Sequence, residues 1–154
     1  MLGILKSFGV TARAVFRKPA TVQYPTVHKE IPNRDRAFPI LIWDEEHDEP
    51  FCTGCHACER ACPVECMTVT MQDNPKFAEG TSKRRKIVDQ FFIDYGRCMR
   101  CNICVEVCNF DAIAMNNTWT GHELSSVDRK DLVMDRDQLL ALSKTQQIRP
   151  WVPE

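Results

Sequence analysis

Eight cysteines fall in two runs, "CTGCHACERACP" at 52–63 and "CMRCNICVEVCN" at 98–109. Each run spaces its thiols C-x2-C-x2-C-x3-C. Three cysteines two residues apart curl a loop around one cubane and present three thiolates to three irons. The fourth lies about a helical turn further on and faces the other cluster. The spacing therefore predicts two [4Fe–4S] clusters with crossed ligands. Cys52, Cys55, Cys58 and Cys108 hold one, and Cys98, Cys101, Cys104 and Cys62 hold the other. Structural zinc sites instead pair two short units across a longer spacer around a single ion, and overlapping triplets do not suit them. Disulfides require export, and "MLGILKSFGVTARAVFRK" has no basic leader region, an apolar run broken by Lys6 and no small-residue cleavage site. Reduced thiols that bind metal are the expectation.

The ninth cysteine, Cys66, aligns with Ala112 and is read as a small buried residue. Asn109 stands where proline follows Cys62, and is expected to adopt a left-handed conformation that ends the helix. Gly54 and Ala57 leave room for backbone N–H groups near a cluster. Arg97 and Arg100 either favour a reduced cluster or face solvent and partners. His56 could couple a proton to reduction or be an ordinary loop histidine. The chain shows no nucleophile–base arrangement, no Walker sequence and no GxGxxG fingerprint. It is expected to move electrons with no independent active site.

These loops need a frame. An offset of 46 residues lays the first run on the second, with Glu65 over Asp111. Each run is preceded by a strand-like stretch ("FPILIWD", "VDQFFID") and followed by another ("MTVTM", "AIAM"). Two such halves about a pseudo-twofold axis make an α+β core over 37–116. The turn-rich, charged segment 72–86 is an insertion, and its Lys83–Lys86 run is read as a solvated or docking face. Residues 1–36 hold seven Lys/Arg against two Asp/Glu, a net of +5 that leaves −6 for the rest. In this arm Leu5, Phe8, Ala12, Val15 and Phe16 recur at helical spacing, extended by Leu2. Lys6, Arg13 and Arg17 share another face, which predicts an amphipathic helix on a membrane surface or partner. The near-balanced total charge argues against nucleic acid. The extension 117–154 is expected to contain one or two Asp-capped helices anchored by Leu139, Leu140 and Leu142, ending in an extended "IRPWVPE".

"GVTARAVFRKPATVQYP", two ferredoxin-type cysteine runs, "DYGRCMRCNICVEVC" and "DRKDLV" together resemble the chain I (TYKY, or 23-kDa) subunit family of respiratory complex I. The similarity covers about Gly9 to Leu140. The resemblance implies a 2[4Fe–4S] ferredoxin-like core with an N-terminal amphipathic helical arm and a C-terminal extension. It also implies electron transfer within a proton-translocating NADH:quinone oxidoreductase, toward the terminal cluster and the quinone. The implied partners are the peripheral-arm iron–sulfur subunits and the quinone-site membrane subunit. The implied location is peripheral, on the cytoplasmic face of the bacterial cell membrane, with Leu5, Phe8, Arg13, Phe16 and Arg17 docking. Asn109 and Ala37 depart from the family pattern. Rival readings are a ferredoxin-like subunit of a membrane-bound hydrogenase or formate hydrogenlyase, a ferredoxin-fed relative of complex I, and a free ferredoxin carrier.

Overall fold

The computed structural model describes residues 2–32, 35–116 and 128–146. The chain divides into two compact units, Met1–Glu30 and Ile31–Glu154. The first contains α1 (Leu2–Val15). Its potential helix breakers are satisfied locally: the Ser7 hydroxyl donates to Ile4 O and that of Thr11 to Ser7 O and Phe8 O. It stops ahead of Pro19, which cannot continue a helix. Leu5, Phe8, Val15 and Phe16 are all exposed, Phe16 by 88%. The side chain of Leu2 lies outside the described residues.

In the second unit the apolar stretches flanking each cysteine run form strands. β1 (Pro39–Leu41), β2 (Trp43–Asp44) and β3 (Glu49–Pro50) precede the first run. α2 (Ala57–Ala61) lies within that run and β4 (Met67–Asp73) follows it. A helical turn, α3 (Pro75–Ala78), leads to β5 (Lys86–Asp94). The second run contains α4 (Ile103–Glu106) and exits into β6 (Ile113–Met115).

The pairing is reciprocal. β1 runs antiparallel to β6, with Ile40 opposite Ala114. β4 runs antiparallel to β5, with Met67 opposite Ile93 and Val69 opposite Phe91. The strand that enters each run thus pairs with the strand that leaves the other. Alternation decides the faces: Met67 and Val69 on β4 and Phe91 and Ile93 on β5 point into the core, while Thr68 and Phe92 point out. Leu41, Val88, Phe91, Ile93 and Leu139 are at most 1% exposed, and each contributes about 2 kcal/mol of apolar burial.

Beyond the repeat, a 3-10 turn (Arg129–Leu132) capped by Asp128 leads into β7 (Val133–Met134). β7 adds to β5 with Met134 opposite Ile93, a strand that the sequence pattern does not reveal. α5 (Arg136–Gln146) follows. Its start is a reciprocal cap, in which Gln138 N–H donates to Asp135 Oδ1 at 2.8 Å and Asp135 N–H to Gln138 Oε1 at 3.0 Å. Leu139 and Leu140 are buried and Leu142 is half-buried. "IRPWVPE" lies outside the described residues.

The segment 72–86 is less solvated than its composition suggests. Gln72 and Asp73 belong to β4, and Lys86 belongs to β5. Lys83, Arg85 and Lys86 are exposed, but Arg84 turns inward. Its guanidinium donates to Glu49 Oε1 at 2.6 Å and to Asp44 Oδ2 at 2.7 Å, and lies 4.7 Å from the centre of the Phe51 ring. Glu49 is 2% exposed. It also accepts from Ser82 Oγ at 2.6 Å and Asn74 Nδ2 at 2.8 Å.

Burial alone would raise both carboxyls. Hydrogen bonds from Arg84 and His47 to Asp44, and from Ser82, Asn74 and Arg84 to Glu49, outweigh it and hold both below their ordinary values. The associated stability is present above the unfolded carboxyl range, near pH 4, and is lost as pH falls through the lowered folded values. Arg84→Ala would strand two buried carboxylates and is expected to lower stability by about 3 kcal/mol at neutral pH. Denaturant unfolding should show this deficit narrowing toward about pH 5, as the orphaned carboxylates take up protons.

Candidate metal centre

A loop that aims three thiols at one point must reverse its backbone between them. The described non-glycine residues with left-handed backbone in the runs and the turns just after them, together with Gly54, fall in three pairs at the offset that superposes the runs. These are Gly54 and Arg100 (φ 74° and 55°), His56 and Asn102 (62° and 74°), and Glu65 and Asp111 (47° and 49°). His56 and Asn102 stand immediately before α2 and α4. Each bulky residue held in this region costs about 1 kcal/mol, so the matched geometry implies a matched demand in both loops. Asn109 departs from expectation, because it is not among the left-handed residues. Proline at the matching position 63 requires a negative φ, and the left-handed turn falls two residues later at Asp111.

The folded chain gathers the thiols around two small pockets. One is walled by Cys62, Cys98, Cys101 and Cys104, together with Cys66, Pro63, Val64 and Met115. The other is walled by Cys52, Cys55, Cys58 and Cys108, together with Thr53, Val69, Phe110 and Ile113. Each set takes three cysteines from one run and the last from the other.

The walls fit an iron–sulfur cluster chemically. Thr53 Oγ1 is buried without a hydrogen-bond partner in the protein, a donor free for an inorganic sulfide. Backbone N–H groups reach the fourth cysteine of each run: Cys66 N lies 3.5 Å from Cys62 Sγ, and Ala112 N lies 3.4 Å from Cys108 Sγ. Burial, with smaller effects from neighbouring thiols, pushes Cys52 up to about 12, Cys58 to about 11 and Cys104 to about 12. These thiols become thiolates only beside a cationic group, so loading the sites releases protons.

A family described as the 4Fe-4S dicluster domain matches residues 51–112. The chain is 36% identical over 140 residues to NADH-quinone oxidoreductase subunit I 2 of Symbiobacterium thermophilum, covering 90% of this chain and 55% of that protein. The corresponding protein of Streptomyces coelicolor is 36% identical, with 89% of this chain and 66% of the relative covered. That of Geobacter sulfurreducens is 35% identical over 131 residues, with 85% and 68% covered. The chain belongs to the NADH-quinone oxidoreductase subunit I family. Its dicluster domain carries two [4Fe–4S] clusters. It spans little more than half the length of the Symbiobacterium relative and about two thirds of the Streptomyces one.

Within this subunit I chain, Arg36, Phe38 and Tyr95, which spacing did not single out, brace the second loop together with Arg97 and Arg100. Arg36 Nη1 donates to Cys101 O at 3.2 Å, and Arg97 Nη2 to Val64 O at 2.8 Å. Arg100 lies 5.2 Å from the centre of the Phe38 ring, which stacks on Tyr95 at 4.4 Å. Tyr95 Oη donates to Pro39 O at 2.7 Å, fastening the entry of the second run to β1. Arg97 and Arg100 are thus tied to the chain. His56 Nδ1 lies 2.6 Å from Glu59 Oε2. Leu5, Phe8, Arg13, Phe16 and Arg17 all belong to the first unit.

Gly54 is the glycine that the site cannot replace. A Cβ there would sit 2.8 Å from Met71 Cβ and 2.9 Å from Thr70 O, on a backbone that already disfavours one. Gly80 has a similar φ and open space. Gly80→Ala should therefore cost about 1 kcal/mol, and Gly54→Ala about 3 kcal/mol. Comparing the two variants by denaturant unfolding checks this, and only Gly54→Ala should also release iron from its loop.

Proposed function

We propose that this chain is an electron-transfer subunit of a membrane-associated, proton-translocating NADH:quinone oxidoreductase. Cys52, Cys55, Cys58 and Cys108 would hold one [4Fe–4S] cluster, and Cys98, Cys101, Cys104 and Cys62 the other. The observation that carries this reading is the division of the eight thiols between two cavities, each completed by the last cysteine of the opposite run. When bound, each cluster supplies a one-electron redox centre.

The protein holds the two sites close together. α2 and α4 pack against each other, and Cys58 is near enough to Cys104 for its thiolate to disfavour that of Cys104. The chain thereby sets a short separation over which an electron moves, beside apolar walls of Val64, Val69, Ile113 and Met115. Reciprocal strand pairing and the matched left-handed residues support a pseudo-twofold core of two halves.

In the arm, the exposed stripe of Leu5, Phe8, Val15 and Phe16, with Arg13 and Arg17 beside it, suits an anionic surface or a membrane subunit. No described helix is long and apolar enough to cross a membrane. We infer a peripheral subunit on the cytoplasmic face, between the other iron–sulfur subunits of the peripheral arm and the membrane subunit at the quinone site.

Anaerobic reconstitution of the full chain should give about eight irons and eight acid-labile sulfides. Zinc without labile sulfide would end the reading. Cys108→Ala should damage the cluster on Cys52, Cys55 and Cys58 while sparing the signal of the other in electron paramagnetic resonance. Loss of only the downstream cluster would reverse the ligand assignment.

Deleting residues 1–18 removes the apolar stripe but no thiol. Both clusters should load normally, while attachment of the assembled complex to its membrane part and its quinone reduction should fall. An equally tight and active complex would remove the docking role.

A further inference from the structure

Cys66 has no place in either ligand set, yet it does not simply fill the core. It is 6% exposed, forms part of the wall of the cavity lined by Cys62, Cys98, Cys101 and Cys104, and holds its Sγ 3.5 Å from Cys62 Sγ. The repeat supplies an internal comparison. In the other half the matching residue is Ala112, whose backbone N–H reaches Cys108 Sγ just as that of Cys66 reaches Cys62 Sγ. Both fourth cysteines therefore receive a main-chain donor, and only Cys62 also faces a thiol.

A cysteine bound to iron carries no proton, so of these two sulfurs only Cys66 can donate. We propose that the Cys66 thiol donates a hydrogen bond to the Cys62 thiolate and raises the reduction potential of the cluster on Cys62, Cys98, Cys101 and Cys104. This rests on the crossed ligand assignment. A donor on a ligand sulfur withdraws electron density from the iron and stabilises the reduced, more negative cluster. Burial of Cys66 strengthens the effect, because its thiol is held where the surrounding dielectric is low. The structure assigns Cys66 as a positioning residue that acts through Cys62, and the sequence difference between Cys66 and Ala112 makes the two clusters electronically unlike.

The test uses the full chain, reconstituted anaerobically as wild type, Cys66→Ala and Cys66→Ser. Iron is counted in each, and each is titrated potentiometrically while both clusters are followed by electron paramagnetic resonance. All three should keep the same iron content. In Cys66→Ala the midpoint of the cluster on the Cys62 set should move to more negative potential, while that of its twin stays in place. In Cys66→Ser the hydroxyl keeps a donor, and the midpoint should return toward wild type. A full iron complement with no shift in Cys66→Ala, or with equal shifts in both clusters, overturns the proposal and leaves the ligand assignment standing. Loss of about half the iron from Cys66→Ala would make Cys66 a ligand, overturning the assignment of Cys62 and this proposal with it.

Discussion

Each cysteine run sends three thiols to the near cavity and its last thiol to the far one, and that crossing holds only while the flanking strands keep their register. β1 on β6 and β4 on β5 fix where Cys62 and Cys108 arrive. A slip of one residue would turn every inward side chain of a strand to the opposite face. It would also carry the fourth cysteine away from the triplet it completes. Neither half supplies all four cysteines that wall a pocket, so both pockets form only when the halves fold together. Because the sites form only in the folded chain, the free energy of filling them adds to its stability.

This arrangement places reactive groups where a core would ordinarily be apolar. Cys52, Cys58 and Cys104 are buried among Leu41, Val69, Phe91 and Ile113. Without a cationic group their thiols stay protonated, so the low dielectric that excludes water also ties their ionisation to occupancy. The strained residues are part of the same constraint. Arg100 and Asn102 keep left-handed backbones in the second loop, where Gly54 and His56 do so in the first. The ring contact of Arg100 with Phe38, and the Tyr95 bond to β1, secure that loop from outside.

At the β2–β3 hairpin the problem is reversed, since two carboxylates are buried and must stay charged. Arg84 reaches both, while Ser82 and Asn74 donate two further hydrogen bonds to Glu49. Asn74 also caps α3 by accepting from Lys76 N–H at 3.0 Å. A segment that reads as a charged loop thereby becomes part of the body. The arm is organised on other terms: its apolar stripe has water on it in the isolated chain, the usual sign of a surface meant to be covered.

The parts of this protein legible in its amino acids are those whose physics is local. Ligand spacing within a run is dictated by how far a short loop can reach, so the number and kind of clusters follow from C-x2-C-x2-C-x3-C. Period-two alternation exposes β4 and β5, the 3.6-residue stripe exposes α1, and paired leucines after Asp135 expose α5. What stayed hidden depends on partners far along the chain. Arg84 looks solvated until Asp44 and Glu49 are brought to it. Asn109 looks like a left-handed stop until the backbone puts that conformation at Asp111. Cys66 looks like filler until the return into β4 sets its sulfur beside that of Cys62. The strand β7 is too short to carry a pattern and exists because the edge of β5 is open to receive it. Spacing along the chain can specify which groups a loop offers, but distances between loops arise only when the strands pair and the core closes around them.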